Sequence, residues 1–324
     1  MDKYVIVTGA NGYLGSYICS ELVKKEYCVI GLKFQHYASR LIKSSKINYI
    51  DADITQDLTL NNKLMSAIDG KKILGIINTA ALLGSSNYED NYLVNAFGVK
   101  NLIDFSQAIG VRRFIQISSV VILKPVKGPY GETKLIGQEM VTSSHLNYTV
   151  FIPAMILGPE SLGLNRILKN VFRFPFVIPL IGNGSQTQHP IFVKDFAFMV
   201  VQSLEATISY KKVYQIAGNE VVSFKSFIKL VLLLSGQKKI FFPLPIIFAK
   251  MLGKIFQATQ KIPVFTAEHV KGIVQDSNLD TALIKMDLNF MPTPLHDSLG
   301  YSLGVIGKNW DYYLNRRAEI EIEE

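Results

Sequence analysis

Cysteine is nearly absent: Cys19 and Cys28 are the only two in 324 residues. A disulfide framework is thereby excluded, and both are expected as small buried apolar groups, one in a helix and one in a strand, suited to a reducing cytoplasm. Long apolar runs are missing as well. Leu230 to Leu234 is bracketed by Lys229 and Ser235, and Ile240 to Ala249 is broken by Pro243 and Pro245, so neither stretch is long enough to span a bilayer. The opening Met1-Asp2-Lys3-Tyr4-Val5-Ile6-Val7-Thr8 lacks a charged segment followed by a long apolar one and is expected as a strand, not a leader peptide. His36, His145, His189, His269 and His296 include no pair at metal-ligand spacing, so no metal is expected. Internal repeats and low-complexity tracts are lacking too. Carboxylates are scarce in one region: residues 161–275 hold 14 Lys and Arg against 4 Asp and Glu, a local excess of 10. That excess fits a solvated basic face, a cleft for a pyrophosphate, or a face that rests on anionic lipid.

What the chain does have is apolar mass. With 48% hydrophobic and 19% charged residues it is neither disordered nor fibrous. A net charge of +8 accommodates anionic ligands without calling for nucleic acid, and none is expected as a partner. Short β-branched runs alternate with segments of helical period through the first half. Strands are expected at Tyr4–Val7, Cys28–Leu32, Ile47–Ile50, Ile73–Asn78, Arg113–Ser118 and Tyr148–Ile152, and helices at Tyr13–Lys25, Leu58–Ile68, Tyr92–Ile109 and Tyr130–Ser143. This is the pattern of an α/β, doubly wound parallel sheet. Residues 1–155 are read as a dinucleotide-binding Rossmann domain, with a returning strand near 213–218. Residues 156–324 are read as a smaller, partly interleaved α/β substrate domain, with helices at Phe224–Leu234 and Ile246–Phe256.

Gly9-Ala10-Asn11-Gly12-Tyr13-Leu14-Gly15 follows the first strand and opens a helix. A tight turn there lets the backbone approach a pyrophosphate, whose charge meets the unpaired N–H groups of the helix N-terminus. Dinucleotide sites often carry a carboxylate at the end of the second strand for the ribose hydroxyls, but here Lys33 stands in that place, with His36 and Arg40 in the same loop. A cation there favours a 2′-phosphate, so NADP(H) is expected ahead of NAD(H). At the third strand end, Asp51-Ala52-Asp53-Ile54 offers carboxylates to the adenine amino group; a cap before the next helix is the competing role.

Further motifs follow in order: Asn78-Thr79-Ala80-Ala81, Asn95 in Val94-Asn95-Ala96-Phe97-Gly98, Ser118-Ser119, Pro129-Tyr130-Gly131-Glu132-Thr133-Lys134, Pro153-Ala154-Met155 and Ile191-Phe192-Val193-Lys194-Asp195. Together with the glycine turn, the chain resembles the extended short-chain dehydrogenase/reductase family, in particular its NAD(P)-dependent epimerase/dehydratase group acting on nucleotide sugars. The resemblance implies cofactor contacts at Ile54, Thr79, Ala80, Ala81, Asn95, Ser118 and Pro153, besides the glycine turn. It also implies catalysis by Ser119, Tyr130 and Lys134. Tyr130 would exchange a proton with substrate, Lys134 would hold the nicotinamide ribose and tune Tyr130, and Ser119 would hydrogen-bond the reacting oxygen. A spacing of four places Tyr130 and Lys134 on one helix face. A free tyrosine is only about 0.1% ionised at neutral pH. An ammonium about 4 Å away, at an effective dielectric near 20, is worth roughly 4 kcal/mol and is expected to lower that phenol by about three units.

Two departures bear on substrate. The apolar Val120-Val121-Ile122-Leu123 stands where sugar epimerases usually show a Tyr-Gly ending, and Phe151 stands where many family members have arginine. Asn165 and Arg166 fall where relatives bind the nucleotide pyrophosphate, and His189 is read as a packed loop residue. The reading is a cytoplasmic, homodimeric NADP(H)-dependent oxidoreductase or epimerase of a nucleotide sugar. One alternative is a reductase of a hydrophobic alcohol or ketone, and another is a non-catalytic NADP-binding subunit. For residues 241–256, ordinary packing is preferred to an interfacial amphipathic helix.

Overall fold

The computed structural model describes residues 2–34, 40–259 and 275–306, with side chains omitted at 254–259, 305 and 306. Strand β1 (Tyr4–Thr8) is buried at four of its five positions, because helices cover both faces of the sheet. Val5 and Val7 point to one face and Ile6 to the other, which places them in two separate cores. The same logic builds β2 (Cys28–Lys33), β3 (Ile47–Asp51), β4 (Ile73–Asn78), β5 (Arg113–Ile117) and β6 (Asn147–Pro153). The returning strand is β7 (Lys212–Ile216), parallel to β6. The seven-stranded sheet runs β7-β6-β5-β4-β1-β2-β3. Chain order reverses between β1 and β4, so a crevice opens at their carboxyl ends.

On one face pack α1 (Tyr13–Lys24), α7 (Val193–Ser203) and α10 (Ala282–Leu288). On the other pack α2 (Asn62–Ile68), α4 (Gly98–Ala108) and α5 (Gly128–Thr142). Elements α7, β7 and α10 therefore return to the sheet from the second half of the chain. Cys19 lies buried in α1, and Cys28 lies half-buried at the start of β2.

Local chemistry altered three expected helices. The span 58–68 splits at Asn61, whose Oδ1 accepts from Leu64 N at 3.0 Å and caps α2, leaving Leu58–Leu60 as a 3-10 turn. The span 92–109 starts earlier as α3 (Tyr88–Tyr92), widens into a π turn at Leu93–Phe97 and resumes as α4. Helix α5 begins at Gly128 because Pro129 suits the first turn, where its missing N–H costs nothing.

The second unit has its own apolar core between α6 (Leu162–Arg173), α8 (Phe224–Leu234) and α11 (Leu295–Ile306). Around it lie three two-stranded pairs: Ile156–Leu157 with Ile191–Phe192, Thr187–Gln188 with Val222–Ser223, and Val177–Ile181 with Ile240–Leu244. His189 is a packed loop residue, its Nε2 on Gly218 O at 2.8 Å and its Nδ1 accepting from Leu279 N at 3.3 Å. Helix α9 (Ile246–Thr259) follows Pro245, and from Ile246 to Gly253 only Ala249 and Gly253 are buried. No helix among the described residues is long and apolar enough to cross a membrane.

Arg113 ties the β5–β6 layer to the end of α7 and is only 4% exposed. Its Nε donates to Leu204 O at 3.0 Å, and its terminal nitrogens donate to Asn147 O at 2.6 Å, Ser203 O at 2.6 Å and Thr149 Oγ1 at 2.8 Å. The guanidinium also stacks 4.6 Å from the Tyr210 ring. Burial lowers its pKa to about 10, still far above neutrality. Arg113→Leu strips partners from several buried acceptors and should destabilise the fold by about 3–5 kcal/mol. Denaturant unfolding reads the loss, and an unchanged midpoint would contradict the stapling role.

Candidate active site

The glycine turn is set by space. Gly9 has φ +61, a conformation costly for other residues, and a Cβ there would lie 2.9 Å from Thr79 Oγ1. A Cβ on Gly15 would lie 2.1 Å from Gly9 O, so only glycine lets α1 approach β1 this closely. Between them Gly12 N donates to Gly9 O at 2.8 Å. No side chain caps α1 at Gly12, which leaves its first-turn N–H groups for a ligand. A bare turn with an uncapped helix behind it fits a dinucleotide pyrophosphate.

Not every residue of the motif faces that turn. Asn11 Nδ2 donates to Phe34 O at 3.2 Å, and Leu14 packs against the core. Tyr13 is half-buried with its hydroxyl buried against Gly158, where a Cβ would fall 2.3 Å from that oxygen, and the Arg40 guanidinium lies 5.1 Å from its ring. Arg40 also pairs with Glu160, a residue at φ +64. Tyr13, Arg40 and Glu160 thus close one lip of the turn, a grouping that sequence spacing does not reveal.

Beyond the carboxyl ends of β2 and β3 a cavity of about 450 Å³ is lined by Lys33, Phe34, Asp51, Ala52, Asp53 and Asn61, among others. Lys33 Nζ pairs with Asp51 Oδ1, its neighbour across the β2–β3 register. Asp53 lines the cavity, and its Oδ1 accepts from Thr55 N at 2.9 Å and Thr55 Oγ1 at 2.8 Å, the local turn bonding of a cap. The Ile54 side chain is core, beside Gly98, and its carbonyl accepts from Asn101 Nδ2 at 2.9 Å. His36 lies outside the described residues.

A line of buried polar groups crosses the carboxyl ends of the strands. Thr8 Oγ1 donates to Asn78 Oδ1 at 2.5 Å, Asn78 Nδ2 to Gln116 Oε1 at 2.9 Å, and Gln116 Nε2 to Ile117 O at 3.1 Å. That carbonyl also accepts from Lys134 Nζ at 2.6 Å. Of these, Thr8 and Gln116 were not singled out from the sequence; inward polar side chains in otherwise apolar strands were the available signal. Thr79 Oγ1 donates to Thr8 O at 2.6 Å, and Ala80 N donates to Asn78 Oδ1 at 3.2 Å; Ala81, next along, is half-buried.

Asn95 sits in the π turn, accepting from Leu82 N at 3.0 Å and donating to Thr133 Oγ1 at 3.3 Å. A Cβ on Gly137 would lie 2.1 Å from Asn95 O, so that glycine brings α5 against the turn. Ser118 is buried with its Oγ unpartnered, while its N donates to Phe151 O at 2.7 Å. Pro153 ends β6 beside Ile216. Phe151 packs with the rings of Phe196 at 5.9 Å and Tyr214 at 5.8 Å, which explains an aromatic residue where relatives carry arginine.

Ser119, Tyr130 and Lys134 are brought to the same strand end. Ser119 hydrogen-bonds the Tyr130 phenol, and its Oγ accepts from Val121 N at 3.4 Å as the cap of the 3-10 turn Val120–Leu123. The expected tuning of Tyr130 by Lys134 is corrected. Burial pushes Tyr130 up to about 12, and the Ser119 hydrogen bond is what opposes it. Lys134 is 2% exposed, its ammonium engaged by Ile117 O, and burial lowers it to about 8.

The Lys134 shift has a measurable sign. The unfolded chain holds the lysine proton up to about 10.5, whereas the fold releases it near 8. Over that interval the unfolded state binds more protons, so stability rises with pH. Tyr130 reverses the trend above 10, where the unfolded phenol ionises before the folded one. Denaturation at pH 8 to 9, below the range where the buried Cys19 thiol opposes it, should therefore show a rise that Lys134→Met abolishes; equal slopes in both proteins would refute the buried-amine assignment.

A sequence model of the NAD dependent epimerase/dehydratase family matches residues 5–217. The Dictyostelium discoideum protein named NADH dehydrogenase (ubiquinone) 1 alpha subcomplex subunit 9, mitochondrial, is 22% identical over 301 residues, covering 90% of this chain and 82% of its own. A putative UDP-glucose 4-epimerase of Methanocaldococcus jannaschii is 24% identical over 225 residues, covering 60% of this chain and 70% of its own. The fold is shared with an epimerase from Methanothermobacter thermautotrophicus at TM-score 0.77 and 18% identity, over 97% of this chain and 95% of that one. It is shared also with the UDP-glucose 4-epimerase of Thermotoga maritima, solved with UDP-glucose, at TM-score 0.73 and 18% identity, over 95% and 100%. With a family model covering most of the chain from β1 through β7, this protein belongs to the NAD dependent epimerase/dehydratase family.

Proposed function

We propose that this protein uses a nicotinamide dinucleotide, NADP(H) ahead of NAD(H), to reduce or epimerise a nucleotide sugar at its 4-position. The observation that carries the reading is the meeting of Ser119, Tyr130 and Lys134 at the end of β5, two strands from the glycine turn with β4 between. A dinucleotide-binding scaffold alone has no use for that trio, which weighs against a non-catalytic subunit despite the mitochondrial relative. Relatives named for UDP-glucose support the sugar class.

The bound dinucleotide supplies hydride exchange at a carbon of the substrate. Tyr130, which burial keeps protonated well above neutral pH, is set to donate its phenolic proton to a carbonyl oxygen as hydride arrives. Ser119 hydrogen-bonds that phenol and would share the reacting oxygen. Lys134, still mainly protonated at neutral pH, would take the nicotinamide ribose while Ile117 O holds it in place. Lys33 would exchange Asp51 for a 2′-phosphate.

An apolar lip favours a second reading. Leu123 and Val126 are exposed beside the turn that Ser119 caps, as suits a hydrophobic alcohol or ketone.

Tyr130→Phe should leave dinucleotide affinity intact and cut turnover at least a hundredfold, the usual worth of a positioned acid. UDP-, GDP- and dTDP-linked 4-keto sugars, followed by nicotinamide absorbance, give turnover under the first reading and none under the second. Lys33→Ala should weaken NADPH about tenfold and spare NADH in a fluorescence titration; equal losses would remove Lys33 from cofactor selection.

A further inference from the structure

The outward face of the second unit is apolar where its own core has no need of it. In the pair Val177–Ile181 and Ile240–Leu244, Ile178, Leu180 and Phe241 turn inward, Ile178 and Phe241 onto the α6–α8–α11 cluster. Their neighbours turn outward: Val177 lies beside Ile240 and Pro179 beside Phe242 in the parallel register. Phe176 is 76% exposed and Ile240 is 73% exposed, and the two are joined by Ile240 N donating to Phe176 O at 2.9 Å. The face continues into α9, where Ile246 meets Gly182 and Ile247, at 81% exposure, stands with Phe248 and Met251 on the outer side. These residues are distant from β1 and β4 in the fold's layout and belong to no part of the dinucleotide turn.

Charge identifies what this face suits. Stretches 161–194 and 221–267 contain no aspartate or glutamate. Lys169 and Arg173 lie exposed on α6, Lys238 in the loop that leads into Ile240–Leu244, and Lys250 on α9. Lys239 is spent within the fold, donating to Val171 O at 2.9 Å and Phe174 O at 2.7 Å at the end of α6. A partner protein meeting bulky apolar groups would ordinarily be matched by a rim of both signs. Aromatic and branched aliphatic tips carried on stretches whose charged residues are all cations match instead the boundary of an anionic bilayer, with tips entering the acyl edge and cations at the headgroups.

We propose that this face, from Arg173–Val177 across Ile240–Phe242 to Ile247–Met251, docks on an anionic lipid surface and holds the catalytic crevice near a membrane. The docking is peripheral, since no described helix could span.

The test is flotation of the full chain with vesicles of phosphatidylcholine, with and without phosphatidylserine. The protein should rise with the anionic vesicles at low salt, stay behind with phosphatidylcholine alone, and be released by high salt. Phe176→Ser with Phe242→Ser should abolish flotation, and Arg173→Gln with Lys238→Gln should weaken it roughly thirtyfold. All four positions are exposed, and circular dichroism melts matching the parent show that the variants fold. Failure of the parent to float, or flotation of both variants like the parent, overturns the proposal. So does sedimentation equilibrium showing a dimer that the phenylalanine variant dissociates, because the face would then meet a second copy.

Discussion

The site depends on how closely α1 approaches β1. With a hypothetical Cβ of Gly15 falling 2.1 Å from Gly9 O, one methyl group would push the helix away and open the turn. That approach points the uncapped end of α1 across the crevice where the strand order reverses. The neighbouring strand end is held to it by Thr79, whose hydroxyl is bonded to Thr8 O. Geometry at the pyrophosphate end is therefore backbone geometry, with few side chains to vary.

The end where Ser119, Tyr130 and Lys134 meet is organised by desolvation. Thr8, Asn78, Gln116 and Lys134 are all nearly inaccessible; Thr8 donates to Asn78 and Asn78 to Gln116, while Gln116 and Lys134 both donate to Ile117 O, which fixes the amine through a carbonyl. Burial disfavours charge on both partners, moving Tyr130 up and Lys134 down. In this arrangement Ser119 is the group that acts on the phenol directly. Lys134 acts by position, held through a carbonyl at the end of β5.

Around the turn and the trio, the second unit sets the surroundings. Its chain returns to the sheet through α7, β7 and α10, so the two units share a core of apolar packing that includes Phe151, Phe196 and Tyr214. Arg113 adds polar attachment at the end of α7. What remains outside, the strand pair and α9, is free to differ in surface character without disturbing the crevice.

Much of this was legible in order and spacing. Apolar runs separated by helical periods predict the parallel sheet, and the glycine spacing and Tyr130–Lys134 interval predict which ends converge, because these are local patterns repeated along the chain. Helix breaks at Asn61 and at the Asn95 π turn escaped, since a polar residue inside a periodic segment reads as surface until its partner is known. The Lys134 prediction failed for a similar reason: spacing places the amine on the correct helix face but cannot show that Ile117 O engages it. Composition alone determined that residues 161–275 are basic and apolar. Only tertiary structure decided which of those apolar side chains fill a core and which face solvent, because inward and outward positions alternate along a strand and are told apart by what packs against them.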